Sequence, residues 1–382
     1  MPGSGEGRPL WDDADAPLLS PLDGEATTDV CVIGLGGSGL TCVSELRRLG
    51  VATIGLDSRR VGAGAAGRNG GFLLAGLAPF YHDAVERYGR DRAAAMYRST
   101  LEELDRIEAA TPDLVSRPGS LRIAESDDEM DDCLQQLAAM HGDGLAAEEY
   151  RGPEGDGLLI PGDGTCQPLA RCRALAMAAT ALGATLHELT PVLSTEATAT
   201  GRVTVRTGRG TVSCRAAVIA VDGALDKLVP SLASRVRTAR LQMLATAPTT
   251  EVRLTRPVYA RWGHDYWQQR PDGAIAMGGG RDLGGDAEWT HDAAPSAAIQ
   301  AALEQRLRCR LGVQAPITHR WGASVSYTED ALPIVEEVQP NVWALGAYSG
   351  TGNVIGALLG RGVARWLAQR DDELLRPFRG TA

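Results

Sequence analysis

The run Gly34-Leu35-Gly36-Gly37-Ser38-Gly39 has the GxGxxG spacing that lets a backbone close around a pyrophosphate. Gly34 would permit the tight turn, Gly36 the approach of a phosphate, and Gly39 the packing of a helix on the strand before it. Gly37 and Ser38 would then open that helix, with its N–H groups facing the anion. Asp57, followed by Ser58 and Arg59, lies about 20 residues on, where a carboxylate can accept hydrogen bonds from an adenosine ribose. The chemistry of this set is dinucleotide binding. An ordinary turn is the competing reading, and the setting decides between them.

Three further groups of residues are placed to act with it. The stretch SRRVGAGAAGRNGGF after Asp57 is too rich in glycine for a helix or a strand. Gly64, Ala65, Ala66, Arg68, Asn69, Gly70 and Gly71 would bring backbone N–H donors close to a ligand, as the pyrophosphate and ring of a flavin would require, and a flexible loop is the competing reading. Near the C-terminus GAYSGTGN supplies Tyr348, Gly350, Thr351, Gly352 and Asn353, and Val354 opens another helical pattern. Between these lie His264, Tyr266 and Trp267 in one short stretch, and Arg281 after a run of glycines. Aromatic rings there suit an amine, and Arg281 suits a carboxylate. Packing is the competing role for each ring, and solvent exposure for Arg281.

The elements around these residues agree with a nucleotide fold. Asp29 to Gly34 reads as a buried strand, Ser38 to Leu49 as a helix and Val51 to Leu56 as a second strand, the βαβ unit that a dinucleotide needs. Helical patterns are expected from Leu77 to about Ala110, from Asp127 to His141 and from Pro168 to Leu182. Strands are expected at Ser120 to Ala124, Leu186 to Leu193, Val203 to Thr207 and Val212 to Ala220. Gly152 to Gly164, glycine-rich and acidic, reads as a surface connection. Residues 238–279 are strand-rich, and Val342 to Leu345 precedes a helix from Val354 to Leu367. Trp11 reads as a packing residue of an N-terminal arm.

The chain is long for one core, and two joined domains sharing a cleft are expected. The chain would divide into cofactor segments 1–78, 165–236 and 319–382 and substrate segments 79–164 and 237–318. With 38 basic and 48 acidic residues the net charge is −10, which argues against a nucleic-acid surface, since phosphate binding needs a clustered basic excess. Seven scattered cysteines show no metal spacing and read as reduced thiols. No run is long and apolar enough for a membrane helix, and the N-terminal stretch lacks the pattern of a secretory signal. A cytoplasmic protein without metal, membrane or nucleic-acid partner is the expectation.

DVCVIGLGGSGL with LDSRRVGAGAAGRNGG resembles the signature of the D-amino-acid oxidase and glycine oxidase superfamily of flavoproteins. The GRNGG form resembles the gamma-glutamylputrescine oxidoreductase branch. PLARCRALAMAATALGATL, VRTARLQMLATAP, DGAIAMGGG and TEDALPIVEEVQPNVWALGAYSGTG continue the likeness in the family's order. The resemblance implies an α/β chain, with a Rossmann-like FAD domain of the glutathione-reductase type and a substrate domain of mixed-sheet α+β architecture. It implies that Asp57 and Arg59 hold the adenosine half, that Gly64 to Gly71 lie along pyrophosphate and flavin, that Val192 meets the adenine through its backbone, and that Gly350 to Asn353 form the C-terminal flavin loop.

The chain also departs from that pattern. Relatives that bind FAD covalently use a cysteine where this chain has Ser324 to Tyr327, or a histidine near the first flavin loop, which has none. Non-covalent FAD is therefore expected. Val325 stands near the arginine that grips an α-carboxylate in glycine oxidases, and Ala276 near the lysine that helps some relatives activate oxygen. The expected reaction is oxidation of a C–N bond in an amine or amino-acid-like substrate by hydride transfer to flavin, giving an imine that hydrolyses. Tyr348, Tyr266, His264 and Arg281 are the candidates for contact with substrate. Oxygen or an electron carrier would take the electrons. The alternatives are a flavin dehydrogenase, an NAD-linked reductase and a non-catalytic flavin-binding protein.

Overall fold

The computed structural model describes residues 7–13, 16–199 and 201–379, so the first six residues of the N-terminal stretch read above lie outside the described residues. The chain divides into two compact units. One comprises Ala14–Gly67, Pro168–Thr238 and Val325–Ala382; the other comprises Met1–Asp13, Arg68–Gln167 and Ala239–Ser324. They are called here the glycine-turn unit and the aromatic unit. Both mix helices with sheets, the α/β class that the motifs imply.

The glycine-turn unit is built on a sheet ordered Thr185–His187, Thr53–Leu56, Val30–Ile33, Ala216–Ile219, Val342–Gly346, Ile334–Gln339 among the described residues. The first five strands are parallel and the last antiparallel. The runs VCVI, TIGL and AAVI are buried at every position, which a parallel sheet covered on both faces requires. Helices Gly37–Arg48 and Gly352–Gln369 pack on each other. A Cβ at Gly360 would collide with the carbonyl oxygen of Ser38, so only glycine permits that approach. A second sheet, Gly24–Thr27, Gly210–Cys214, Val203–Thr207, Val192–Ala197, joins the same core through Val203, Val205 and Val212.

Two expected strands are each divided in two. Val212 to Ala220 becomes Gly210–Cys214 and Ala216–Ile219, which belong to different sheets. Between them the N–H groups of Arg215 and Ala216 both bond to the carbonyl of Asp29, and the chain crosses over there. Leu186 to Leu193 breaks at Leu189, whose φ is +50°. The apolar pattern of Val212 to Ala220 does not reveal its crossing, because Val212, Cys214 and Ala216–Ile219 are all buried.

In the aromatic unit the principal sheet runs through residues 317–324 of strand Ile317–Tyr327, residues 239–246 of strand Arg237–Thr246, then Ile275–Gly279, Asp265–Gln269, Val258–Ala260, Ser120–Ile123, Gly155–Ile160, Glu148–Gly152. Helix Ala297–Arg310 buries Ile299, Leu303 and Leu307 against Trp267, Met277 and Leu244. Phe80, Tyr97, Met140 and Leu158 form a second core with the helices Tyr81–Tyr88, Arg90–Ala110 and Asp127–Gly142. The helical pattern from Leu77 breaks at Gly89, whose φ of +84° ends one helix and starts the next.

Gly152 to Gly164 corrects the expected surface connection. Glu148–Gly152 and Gly155–Ile160 form an antiparallel hairpin, and Leu158 and Ile160 point inward. The glycines and acids around them mask that alternation. Residues 7–13 and the segment after Gly67 lie in the aromatic unit, where Trp11 holds them: its Nε1 donates to the carbonyl of Asn69 at 2.7 Å, and its own carbonyl accepts from Gln167 Nε2 at 2.7 Å.

Candidate cofactor and substrate sites

In the glycine-turn unit, Gly34 has φ +104°, and a Cβ on Gly39 would collide with the carbonyl oxygen of Gly34. The turn therefore closes as tightly as a phosphate loop must. A Cβ on Gly36 would lie 3.1 Å from Cβ of Ala66, so the second glycine segment lies on the first. Asp57 ties the two together: Oδ2 accepts from Leu35 N and Oδ1 from Arg59 N, both at 2.8 Å. Burial pushes its carboxyl upward, and the two N–H donors oppose that shift. The carbonyls of Asp57 and Arg59 accept from Thr190 N and Leu189 N, which places Val192 two residues beyond the same segment. Ser58 and Arg59 are exposed, and Gly64, Ala65 and Ala66 are half-buried.

The two helices that begin at glycine-rich turns lack the usual N-terminal chemistry. Neither Gly37–Arg48 nor Gly352–Gln369 has a side-chain cap or an acid in its first turn. Helix Asp127–Gly142 of the same chain has both, with Ser126 capping Glu129 N and three acids following. Uncapped N–H groups and an unopposed dipole are what an anion finds attractive. Before the C-terminal helix, Ala347 and Ser349 have φ near +50°, and Asp222 Oδ1 accepts from Ala347 N at 2.8 Å. Gly350, Thr351, Gly352, Asn353 and Val354 continue from this loop into the first turn. The Thr351 hydroxyl donates to the carbonyl of Tyr348 at 2.8 Å. Tyr348 itself is buried, and its hydroxyl donates to Ser38 Oγ at 3.0 Å, linking loop to glycine turn.

The aromatic unit fixes Arg68 to Gly71 by its carbonyls. Trp321 Nε1 donates to Arg68 O at 2.8 Å, Trp11 Nε1 to Asn69 O, Gln268 Nε2 to Gly70 O, and Cys166 N to Gly71 O at 2.7 Å. Arg68 Nε donates to Gly322 O at 2.8 Å, and Asn69 Oδ1 accepts from Gly71 N at 2.7 Å. Of these supports the sequence singles out only Trp11, as a packing residue. An inward glutamine on a buried strand and isolated tryptophans were the only available signals.

Tyr266 stands beside that segment. Its ring is 5.8 Å from Phe72 and 5.7 Å from Tyr259, and a Cβ on Gly70 would lie 3.2 Å from it. Trp267, on the opposite face of the strand, is fully buried in the core. His264 and Arg281 are elsewhere: His264 Nδ1 is 3.8 Å from Asp282 Oδ1, and Arg281 lies over the Trp289 ring at 5.0 Å. Burial lowers the His264 pKa and so favours the neutral ring. Val325 and Ala276 are buried in strands, Val325 in the glycine-turn unit and Ala276 in the aromatic unit.

Residues 29–366 match the family model described as FAD dependent oxidoreductase. The chain belongs to this family of FAD-dependent oxidoreductases. It is 25% identical to the probable oxidoreductase OrdL of Haemophilus influenzae, over 94% of this chain and 87% of that protein. It is 27% identical to the gamma-glutamylputrescine oxidoreductase of Escherichia coli, over 91% of this chain and 85% of that one. Among solved structures, an L-proline dehydrogenase from P. horikoshii superposes with a TM-score of 0.76 at 19% identity, covering 94% and 98% of the two chains, a likeness of fold.

The glycine-turn unit of this FAD-dependent oxidoreductase fits the cofactor. FAD carries a pyrophosphate, and the unit presents a glycine-rich turn, two uncapped helix starts and a carboxylate, Asp57, just after a strand. Among the described residues no group of histidine, cysteine, aspartate and glutamate could hold a metal, and no helix is long and apolar enough to cross a membrane.

Proposed function

We propose that this FAD-dependent oxidoreductase oxidises the C–N bond of an amine or amino-acid-like substrate with FAD held non-covalently. The similarity to gamma-glutamylputrescine oxidoreductase along 91% of the chain carries this reading. FAD, when bound, supplies a hydride acceptor for the carbon next to the substrate nitrogen, and the resulting imine hydrolyses in water. Gly34, Gly36, Gly37, Ser38 and Gly39 would hold the pyrophosphate, Asp57 to Arg59 and Val192 the adenosine, and Gly64 to Ala66 the neighbouring phosphate edge. Gly350 to Val354 would direct N–H groups at the pyrimidine end of the ring, where negative charge collects on reduction. Arg68 to Gly71, fixed by four carbonyl contacts, are assigned to the flavin on their motif.

In the aromatic unit the rings of Tyr266, Tyr259 and Phe72 form an apolar face suited to the alkyl part of an amine. Val325 offers an α-carboxylate no bidentate donor. Anaerobic mixing with a panel of substrates tests this reading through the bleaching of the flavin absorbance. Primary or secondary amines should reduce the flavin faster than glycine, sarcosine or D-alanine. Fast reduction by a simple α-amino acid, abolished by Arg281→Ala, would make Arg281 a carboxylate clamp and refute the amine assignment.

One observation favours a carrier over oxygen as acceptor. Ala276, near which the resemblance would put the lysine that helps some relatives activate oxygen, is buried, and the chain's single lysine, Lys227, is exposed on the short helix Leu225–Leu228 of the glycine-turn unit.

A further inference from the structure

Helix Pro168–Ala181 packs on helix Gly37–Arg48 and on the segment Ala65–Gly67. Its first turn closes against the second glycine segment: a Cβ on Gly62 would lie 2.9 Å from Cys172 Cβ, and one on Gly67 would lie 2.8 Å from Leu169. Arg171, between these two, is 3% exposed. Its Nε has no hydrogen-bond partner, and among the described residues its guanidinium makes no hydrogen bond or ion pair. Nη1 lies 3.5 Å from where a Cβ on Gly37 would be, at the first residue of the uncapped helix.

A buried guanidinium without a counter-charge is an unfavourable arrangement that a structural role alone does not explain, since an apolar side chain of similar size would suit the same packing better. An anion at the glycine turn would remove the imbalance and receive the fork of N–H donors. We propose that Arg171 is a ligand of the cofactor's pyrophosphate, delivered from a helix outside both glycine motifs. The proposal rests on FAD binding and adds to it a cation that the GxGxxG motif does not contain. The glycine turn then supplies uncharged donors, and Arg171 supplies the formal charge that offsets the diphosphate.

The test uses apoprotein prepared by removing the flavin, with FAD affinity measured by quenching of flavin fluorescence. ADP, which has the diphosphate, and adenosine, which does not, serve as competitors. Arg171→Met should weaken FAD and ADP in parallel by at least about 10-fold, leave competition by adenosine unchanged, and leave the apoprotein melting temperature unchanged or higher. Arg171→Lys should recover part of the loss. The opposite signs for ligand affinity and apoprotein stability would not arise from a packing role. FAD affinity within about twofold of the parent, equal weakening of ADP and adenosine, or a destabilised Arg171→Met apoprotein would each overturn the proposal. A parent protein that binds neither FAD nor ADP would overturn the FAD reading itself, so the two failures are distinguishable.

Discussion

Two interior carboxylates, Asp163 and Asp222, are pushed up to about 6 by burial. Between the ordinary carboxylate range and that value the folded chain keeps protons that the unfolded chain has lost. Folding stability therefore falls as pH rises from about 4 to 6 and then levels. Asp163 accepts from Ala75 N at 2.9 Å and from the Ser120 hydroxyl at 2.6 Å. A serine can reverse its hydrogen bond, so Asp163→Asn should fit, flatten this pH dependence and raise stability near pH 7 by up to about 3 kcal/mol. Asp222 faces three backbone N–H groups, of Ser326, Ala347 and Tyr348. There an amide N–H would oppose a donor, and Asp222→Asn should flatten the profile yet lower stability at pH 7. Urea unfolding at a series of pH values measures both. An unchanged slope in Asp163→Asn would show that Asp163 is not protonated in this range.

At the scale of elements, the contact between helices Gly37–Arg48 and Gly352–Gln369 positions both glycine-rich turns. Gly352, Gly356 and Gly360 recur every four residues along one face. The first two accommodate the Tyr348 ring, and Gly360 meets the Ser38 backbone. Because the obstacle at Gly360 is backbone rather than a flexible side chain, Gly360→Ala must separate the helices. The expected cost is about 1–3 kcal/mol, accompanied by weaker FAD retention. Differential scanning fluorimetry and the flavin-to-protein absorbance ratio would measure these effects, and a variant with normal melting and full flavin content would show that the helices tolerate the added methyl. The glycine spacing is visible in the chain, but its partner 310 residues away, Ser38 for Tyr348, is not.

For the whole molecule the testable property is how the cofactor is held. The segment after Asp57 contains neither cysteine nor histidine, and Ser324 to Tyr327 contains no cysteine. Six of the seven cysteines are buried, none of the seven is in a disulfide, and Cys309 is exposed on helix Ala297–Arg310. Acid precipitation should therefore leave all the flavin in the supernatant, read by its absorbance. Flavin in the pellet would establish a covalent link.

The sequence by itself determined the first glycine turn, the acid at the end of the second strand, the C-terminal glycine loop and the family, because each depends on local spacing. Gly34, Gly39 and Asp57 are recognisable from a few neighbours, since a turn or a strand end is made within a few residues. Tertiary structure alone decided which unit each segment joins and which side chains meet. Tyr266 faces Gly70, whereas Trp267, one residue on, enters the core, because a strand alternates its faces and the burial of each face depends on distant chain. Arg171 lies in an unremarkable helical pattern, and nothing near it in sequence marks it as buried. Its lack of a counter-charge appears only when helix Pro168–Ala181 packs on the glycine turn, for a cation's partners are set by what folds around it.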